Sequence, residues 1–566
     1  MSSQPTHYPA DLDSVHRLTG AYIIVALISL TLANVPSVYQ ALDSAGINLY
    51  AALPIFRSYY QGLTLHGVGN VLLWTTFFIC GFLSFTMVYA LRRPLASMRL
   101  AWATFWIMLV GLVLTVIAIL ANQATVLYTF YPPMRAHPAF YIGLTLVVVG
   151  TWLVLLNFVM TYRRWRASHP GEPTPLAAFG SLITFVMWTI ASAGVAIEMV
   201  FLLIPWSLGL VSAIDPLLAR SLFWFTGHPI VYFWLLPAVV SWYTMLPKIA
   251  GGRLFSETVA RIAFIIFLIY SLPVGLHHQY TDPGISEWWK LVHAFFTFIV
   301  FFASLLTMFN VAATLENAGR ARGARGWLNW ILPLPWHEPA FVSQVLGMLL
   351  FIFGGISGLA NASYNVNLVV HNTRWIVGHF HLTVGAAVTL TFMGITYWLV
   401  PYLTGRALWS RRLALVQAWS FFVGEVIFSE TLHRLGLLGM PRRSQISAAE
   451  YVMPEWQSFI GMPLVGIGGT IMFVSGILYL LNIVLTVTAS RQPARVEVPL
   501  AGTAGFFAGD LSFGGVGAGI ESFPLFAFLG FSQEGWRLLI RLIWEFLPDS
   551  ELHVIILCYL PFHNRI

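Results

Sequence analysis

Twelve apolar runs, each long enough to cross the hydrocarbon core of a bilayer as a helix, follow one another along this sequence. They lie near residues 18–39, 63–91, 101–122, 139–161, 177–204, 217–247, 259–280, 290–315, 341–363, 374–403, 413–438 and 457–489. Only 9% of the residues are charged, against about 25% in a soluble domain. The sequence therefore predicts an all-α polytopic membrane protein, a bundle of 12 or 13 transmembrane helices.

The distribution of Lys and Arg predicts how these helices are oriented in the membrane. The formal net charge is +7, but Lys and Arg are scattered at the ends of the apolar runs and form no basic face. This distribution argues against a nucleic-acid partner. Most loop Lys and Arg fall on the side that includes Arg92, Arg93 and Arg163, so the positive-inside rule predicts a cytoplasmic N-terminus.

The ends of the chain and its cysteines add three expectations. The polar first residues show no signal-peptide pattern, so the first span should be retained. We expect residues 1–490 to form one membrane core and residues 491–566 a tail, either an interfacial helix or an additional span. Cys80 and Cys558 are far apart in sequence, so any metal must use ligands other than a thiolate cluster.

Six histidines are predicted to lie in the outer half of the bilayer, on four different helices. They are His66, His228, His277, His278, His379 and His381. A histidine inside a span is costly and often marks a site, although a single one bonded to a neighbouring helix can be structural. Their convergence in one layer favours metal binding, and neutral imidazole suits copper, iron or zinc.

The spacing of these histidines separates them into sets. His379 and His381 point about 200° apart on a helix, so they must serve different centres. His277 and His278 are adjacent and can share one ion, to which His228 could add a third imidazole. Tyr232 lies one turn from His228 on the same face; it is either a packing tyrosine or a donor of a proton and an electron.

The motifs GHPIVYF, GLHHQY and HNTRWIVGHFHL, in this order and separation, resemble those of the catalytic subunit of heme-copper oxidases over about residues 15–490. In detail the chain resembles the B-type, or ba-type, cytochrome c oxidases, because Ile230 stands where the A-type branch has a glutamate. The resemblance implies a terminal respiratory oxidase of a bacterial or archaeal cytoplasmic membrane. Such an enzyme reduces dioxygen to water with electrons from cytochrome c and translocates protons.

The resemblance also implies roles for individual residues. His66 and His381 would hold a low-spin haem of b-type, His379 a high-spin haem of a-type, and His228, His277 and His278 one copper ion. Tyr232 would be catalytic and covalently linked to His228. His371, Arg442 and Arg443 would contact haem propionates, while Asn367 stands where this branch has an aspartate.

A proton path and two partners are implied as well. Tyr243, Ser304 and Thr307 match the single path of this branch, which ends at Tyr232. Val239 replaces a tyrosine there, so a bound water would have to bridge the gap, and small hydroxyl residues also commonly pack membrane helices. Electrons should arrive through a second subunit with a two-copper centre, reduced by soluble cytochrome c.

Some intramembrane residues match no motif, and two other functions remain open. Glu198, Glu425 and His433 have no assigned role, and an ion pair between Glu430 and Arg434 is expected from their spacing of four. A nitric oxide reductase of the same superfamily generally lacks the tyrosine found here as Tyr232. A histidine-based secondary transporter would be colourless, whereas two haems absorb strongly.

Overall fold

A computed structural model describes residues 12–494 and 496–500. Eleven of its helices are long and apolar enough to cross a membrane, and a bent pair raises the number to 12. In chain order these are spans 1 to 12: Leu12–Ser44, Tyr59–Leu91, Met98–Leu120, Pro138–Ser168, Leu176–Ser207, Pro216–Ile249, Glu257–Tyr270 with Leu272–Gln279, Glu287–Ala321, Pro339–Ala362, Arg374–Thr404, Arg411–Leu437 and Met462–Thr488.

The predicted all-helical class is confirmed. Within the described ranges the structure contains no β-strand and only two isolated bridges, such as the one between Thr373 and Pro441. All twelve spans belong to one compact unit. The predicted interfacial helix or thirteenth span around Arg537, Arg541 and Glu545 lies outside the described residues.

The spans that carry most of the predicted site residues form the centre of the bundle. In the most apolar stretch of each span, 94% of span 2, 89% of span 6 and 94% of span 10 is buried, against 28% of span 8. Spans 2, 6 and 10 contain His66, His228, His379 and His381. These three helices are apolar all round because they are buried on every side, while peripheral spans present Leu, Ile and Phe to lipid.

Local sequence explains where several spans begin and how closely they pack. Ser58, Ser97 and Ser256 each accept a hydrogen bond from a backbone N–H of the first helical turn, as N-cap residues do. At Gly111 and Gly143 the backbones of spans 3 and 4 touch without intervening side chains, which is how small residues bring membrane helices together.

Three spans contain a π-helical segment, in which the helix is locally wider than an α-helix. These segments are Val68–Trp74, Glu198–Leu203 and His381–Val388. Two of them adjoin predicted haem ligands, since His66 lies just before the first and His381 begins the third. Single wide turns of this kind occur frequently at functional sites.

Candidate active site and metal centres

The first cluster consists of three imidazoles delivered by two interrupted helices. His228 lies between helices Pro216–Gly227 and Pro229–Thr244 of span 6. Span 7 bends by 53° after Tyr270 and continues as the 3-10 helix Leu272–Gln279, with non-helical angles at Pro273. This irregular turn lets His277 and His278 face the same place. One nitrogen each of His228, His277 and His278 lies within 4.8 Å of the others.

The hydrogen bonds around His277 leave one of its nitrogens free for a metal. Its Nδ1 lies 2.8 Å from Thr297 Oγ1, and that hydroxyl donates to the His293 carbonyl at 2.6 Å. Thr297 must therefore accept from Nδ1–H, which leaves the lone pair of Nε2 available. An outer partner of this kind fixes the tautomer of a metal-binding histidine, so the cluster fits a copper ion.

The two nitrogens of His228 have different neighbours. Nδ1 is 3.1 Å from His278 Nε2, inside the cluster. Nε2 is 3.4 Å from the Tyr232 hydroxyl, and the centroids of the two rings are 5.2 Å apart. One nitrogen is thus placed toward the metal position and the other toward the phenol, as the spacing of four residues predicts.

The second cluster is a facing pair, His66 and His381. Their ring centroids are 6.1 Å apart and their planes differ by 12°. His66 Nδ1 lies 3.0 Å from Ser37 Oγ, and His381 Nδ1 donates to the Val377 carbonyl at 2.9 Å, so Nε2 of each ring is free of these partners. An iron bonded to both at about 2 Å would hold the ring centres about 6 Å apart, so the pair fits one haem iron.

His379 faces away from this pair, toward span 9. Its Nδ1 donates to the Gly354 carbonyl at 2.9 Å and lies 3.2 Å from Ser357 Oγ. A Cβ placed on Gly358 would lie 2.7 Å from His379 Cε1, so only glycine leaves room for this ring. The predicted separation of His379 and His381 into different centres agrees with these contacts.

One cavity connects the clusters. It leaves about 290 Å³ open to the centres of water-sized molecules, and its lining includes five of the six histidines together with Trp234 and Phe428. His277 is the histidine that does not line it. A mainly apolar cavity with imidazoles at both ends suits flat, apolar macrocycles with a metal at the centre.

Three cationic residues also line this cavity. They are Arg374, Arg442 and Arg443. The Nη2 atom of Arg443 is buried and has no hydrogen-bond partner among the residues described. Burial, and then the charge of Arg443, lowers the pKa of Arg442 to about 10, so Arg442 is still charged at neutral pH. Arg442 already donates two hydrogen bonds to Asn372 Oδ1, whereas the unpartnered Nη2 of Arg443 suits a carboxylate such as a haem propionate.

His371 does not line the cavity, although it was predicted to contact propionates. Its Nδ1 lies 3.1 Å from Asn367 Oδ1. Burial, and then the charge of Arg442, lowers the pKa of His371 to about 4, so its imidazole is neutral at pH 7. Asn367 is itself fixed by the Asn361 carbonyl at 2.7 Å, and it occupies the predicted aspartate position as a neutral amide.

The predicted proton-path residues are only partly joined. Tyr243 donates a hydrogen bond of 2.7 Å to Thr307 Oγ1, which links span 6 to span 8. Ser304 is buried one turn from Thr307. Val239 is fully buried between the two tyrosines of span 6, and in the described part of the chain no hydrogen bond joins Tyr243 to Tyr232.

The structure also corrects one expectation and reveals residues that were not singled out. Glu430 does not pair with Arg434; its carboxylate lies 3.9 Å from His433 Nδ1 instead, because the spacing of three brings those two side chains together. Arg374 has no predicted role, although it lies within the motif HNTRWIVGHFHL, and it lines the cavity. Asp43 has no predicted role either, and no local motif contains it.

A membrane helix bundle with three groups of histidines is a recognisable class of protein, and comparison with known proteins identifies its family. The family described as Cytochrome C and Quinol oxidase polypeptide I matches residues 17–466. The chain belongs to this family, whose members are the catalytic subunits of heme-copper oxidases.

Individual relatives narrow the class. Cytochrome c oxidase subunit 1 of Thermus thermophilus is 45% identical over 496 residues, which cover 86% of this chain and 87% of that protein. Cytochrome c oxidase polypeptide 1 of Halobacterium salinarum is 28% identical, covering 78% and 73%. A heme-copper terminal oxidase dimer solved by cryo-EM superposes with a TM-score of 0.83 at 40% identity, covering 86% of both chains.

These comparisons confirm the predicted terminal oxidase and do not favour a nitric oxide reductase or a transporter. The chain is subunit I of a respiratory oxidoreductase, integral to a bacterial or archaeal membrane. Haems and copper are implied by the family, as are further subunits and cytochrome c.

Proposed function

We propose that this chain reduces dioxygen to water with electrons from soluble cytochrome c and couples the reaction to proton translocation. A second subunit with a two-copper centre would deliver the electrons. The observation that carries this proposal is the position of Tyr232, whose hydroxyl oxygen lies 3.4 Å from His228 Nε2. His228 in turn belongs to the cluster of three imidazoles.

The histidines divide into the three ligand sets expected of this family. His66 and His381 would hold a low-spin haem of b-type, and His379 a high-spin haem of a-type. His228 through Nδ1, with His277 and His278 through Nε2, would hold one copper ion. When bound, these groups supply redox-active metals with a gap between iron and copper where dioxygen can bind.

The protein itself supplies a proton and an electron beside that gap. Tyr232 is buried, and its hydroxyl oxygen lies 3.4 Å from His228 Nε2. A phenol at this position can give up both a proton and an electron, and this would complete the four-electron reduction without release of partly reduced oxygen. A covalent bond between Tyr232 and His228 would hold the phenol at this place.

Protons would reach Tyr232 from the inner side along span 6. Tyr243 and Thr307 provide one hydrogen-bonded step, and Ser304 adds a hydroxyl one turn farther along span 8. Since Val239 interrupts the polar side chains, an ordered water would have to occupy the interval between Tyr243 and Tyr232.

Arg442 and Arg443 would bind the haem propionates at the outer end of the cavity. This role is supported by the unpartnered Nη2 of Arg443 and by the charge that Arg442 retains. His371 would act as a neutral neighbour of these groups, since it lies outside the cavity lining.

Two assays on one purified sample test the proposal. Oxygen uptake is measured with reduced cytochrome c, and nitric oxide consumption is measured anaerobically. Rapid oxygen turnover with only slow nitric oxide loss is the expected result. Nitric oxide turnover without oxygen turnover would reject the proposal and assign Tyr232 to packing.

A further inference from the structure

The outer end of span 1 carries a carboxylate that has no place in the mechanism above. Asp43 is 0% exposed. One of its oxygens accepts the Ile446 N–H at 3.1 Å, and the other accepts the Ser447 N–H at 3.3 Å and the Ser447 hydroxyl. A buried charge is tolerated only when it is paired or well hydrogen-bonded. Asp43 therefore holds the far end of the segment 441–447 against span 1.

Arg374 holds the near end of the same segment. It is 6% exposed and donates to the carbonyls of Pro441 at 3.0 Å and Ser444 at 3.3 Å. The same guanidinium donates to Ser44 Oγ at 3.0 Å, next to Asp43. Segment 441–447 is thus fastened to the start of span 10 and to the end of span 1, which are the helices beside the low-spin haem position.

The backbone around Arg442 and Arg443 also shows that the segment is tightly bound. Arg374 N–H donates to the Met440 carbonyl at 2.8 Å, and Arg442 N–H to the Asn372 carbonyl at 2.9 Å. Arg443 has a φ of 60° and Asn372 a φ of 58°. A left-handed conformation at an arginine is costly and persists only where the surrounding structure imposes it.

We propose that Asp43 is a positioning residue that, together with Arg374, sets where the guanidinium groups of Arg442 and Arg443 lie against the propionates of the low-spin haem. Through them it sets the reduction potential of that haem. This inference rests on the proposed contact of the two arginines with propionates. Asp43 contributes by fixing the segment and does not touch the haem.

The sign of a measured potential separates this role from a direct effect of charge. Positive groups near a haem oppose its oxidised form and raise its potential, whereas a nearby carboxylate lowers it. If Asp43 acted only through its own charge, Asp43→Asn would raise the potential. If it positions the arginines, the variant lets them withdraw and the potential falls.

The experiment is a spectroelectrochemical titration of the purified complex, with amide hydrogen exchange measured on the same preparations. For Asp43→Asn we expect a lower midpoint potential of the low-spin haem and several-fold faster exchange at Ile446 and Ser447. Ser447→Ala removes a donor without changing charge and should shift the potential in the same direction by less. Glu450→Gln, an exposed acid of the same loop, is the charge-matched control and should change neither quantity.

Three results would overturn the proposal in distinguishable ways. An unchanged or higher potential in both Asp43→Asn and Ser447→Ala rejects the positioning role. Unchanged exchange at residues 446–447 shows that Asp43 does not hold the segment. If Arg443→Gln also leaves the potential unchanged, the propionate contact itself is wrong, and the proposal fails with that part of the proposed function.

Discussion

At the scale of single residues, the chemistry depends on which nitrogen of each histidine is occupied. Thr297, Val377 and Gly354 each engage an Nδ1 atom and so direct the opposite nitrogen toward a metal position. His228 is the exception, because its Nδ1 lies inside the cluster and its Nε2 meets Tyr232. Only this reversed histidine can serve the copper position and the phenol together.

The first prediction concerns Tyr232. Replacing it with phenylalanine removes the hydroxyl proton beside His228 while leaving the ring in place. We expect oxygen uptake to fall by at least about 10²-fold, the smaller end of what a positioned proton donor contributes, with the haem absorption unchanged. Tyr162→Phe, near the C-terminal end of span 4, is the control. Full oxygen turnover in Tyr232→Phe would contradict the catalytic role.

The second prediction concerns Thr297, which fixes the tautomer of His277. Thr297→Val keeps the shape but removes the acceptor for Nδ1–H. Copper affinity should fall about 10- to 100-fold, as for other lost partners of metal-binding histidines, and metal analysis after dialysis against a chelator measures it. Thr145→Val, at a half-buried position of span 4 where the hydroxyl donates to the Tyr141 carbonyl, should keep its copper. Equal copper contents in the two variants would refute the assignment.

At the scale of helices, hydropathy predicts the number of spans because each must match the bilayer, and helical spacing separates His379 from His381. The bend after Tyr270 and the π-helical segments are not predictable in this way, since they arise from packing between helices. The roles of Asp43 and Arg374 are not predictable from the sequence for a related reason. Their partners lie about 400 and 70 residues away in the sequence, and no local pattern reports contacts of that range.

The third prediction tests the close packing of spans 9 and 10. Gly358→Ala places a methyl group 2.7 Å from His379 Cε1, and such overpacking typically costs about 1–3 kcal/mol. We expect reduced occupancy or an altered spectrum of the high-spin haem, with the low-spin haem spared. Gly20→Ala, where a methyl group would meet nothing within 4 Å, is the matched control. A normal high-spin spectrum in Gly358→Ala would show that His379 can move away.

The fourth prediction tests the contact between spans 6 and 8. Thr307→Val removes the acceptor of the Tyr243 hydroxyl without changing the volume of the side chain. If protons pass here, turnover should fall about tenfold, which corresponds to about 1.4 kcal/mol at the slow step. Thr104→Val, a buried threonine of span 3, should turn over normally. Unimpaired turnover and pumping in Thr307→Val would indicate that this hydroxyl pair only packs the two helices.

At the scale of the whole molecule, the cavity is bordered by side chains from many of the spans. Its lining includes Leu30 of span 1, Val148 of span 4 and Met472 of span 12, in addition to residues of the central spans 2, 6 and 10. Cofactors bound in the cavity would contact side chains of all these spans. The free energy of cofactor binding should therefore add to the free energy of unfolding of the bundle.

The fifth prediction follows from that coupling. Protein made in cells deprived of haem should unfold at least a few degrees below the complete enzyme, because a ligand that binds only the folded state stabilises it. Circular dichroism at 222 nm during heating measures the difference, and haem added to the depleted protein should restore the higher temperature. Identical melting curves would mean that the helices pack equally well around an empty cavity.

The wide turns beside His66 and at His381 have a consequence for how this bundle can change over time. A π-helical turn holds one more residue than the α-helical turn it replaces, so it is what remains when a single residue is inserted into a long helix and the rest keeps its contacts. Removing one residue from Val68–Trp74 or His381–Val388 should therefore restore a regular α-helical turn and leave both halves of the helix in their present contacts. His66 and His381 should then still face each other, whereas a one-residue deletion from a regular α-helical part of span 2 or span 10 should rotate one half of that helix against the other by about 100°.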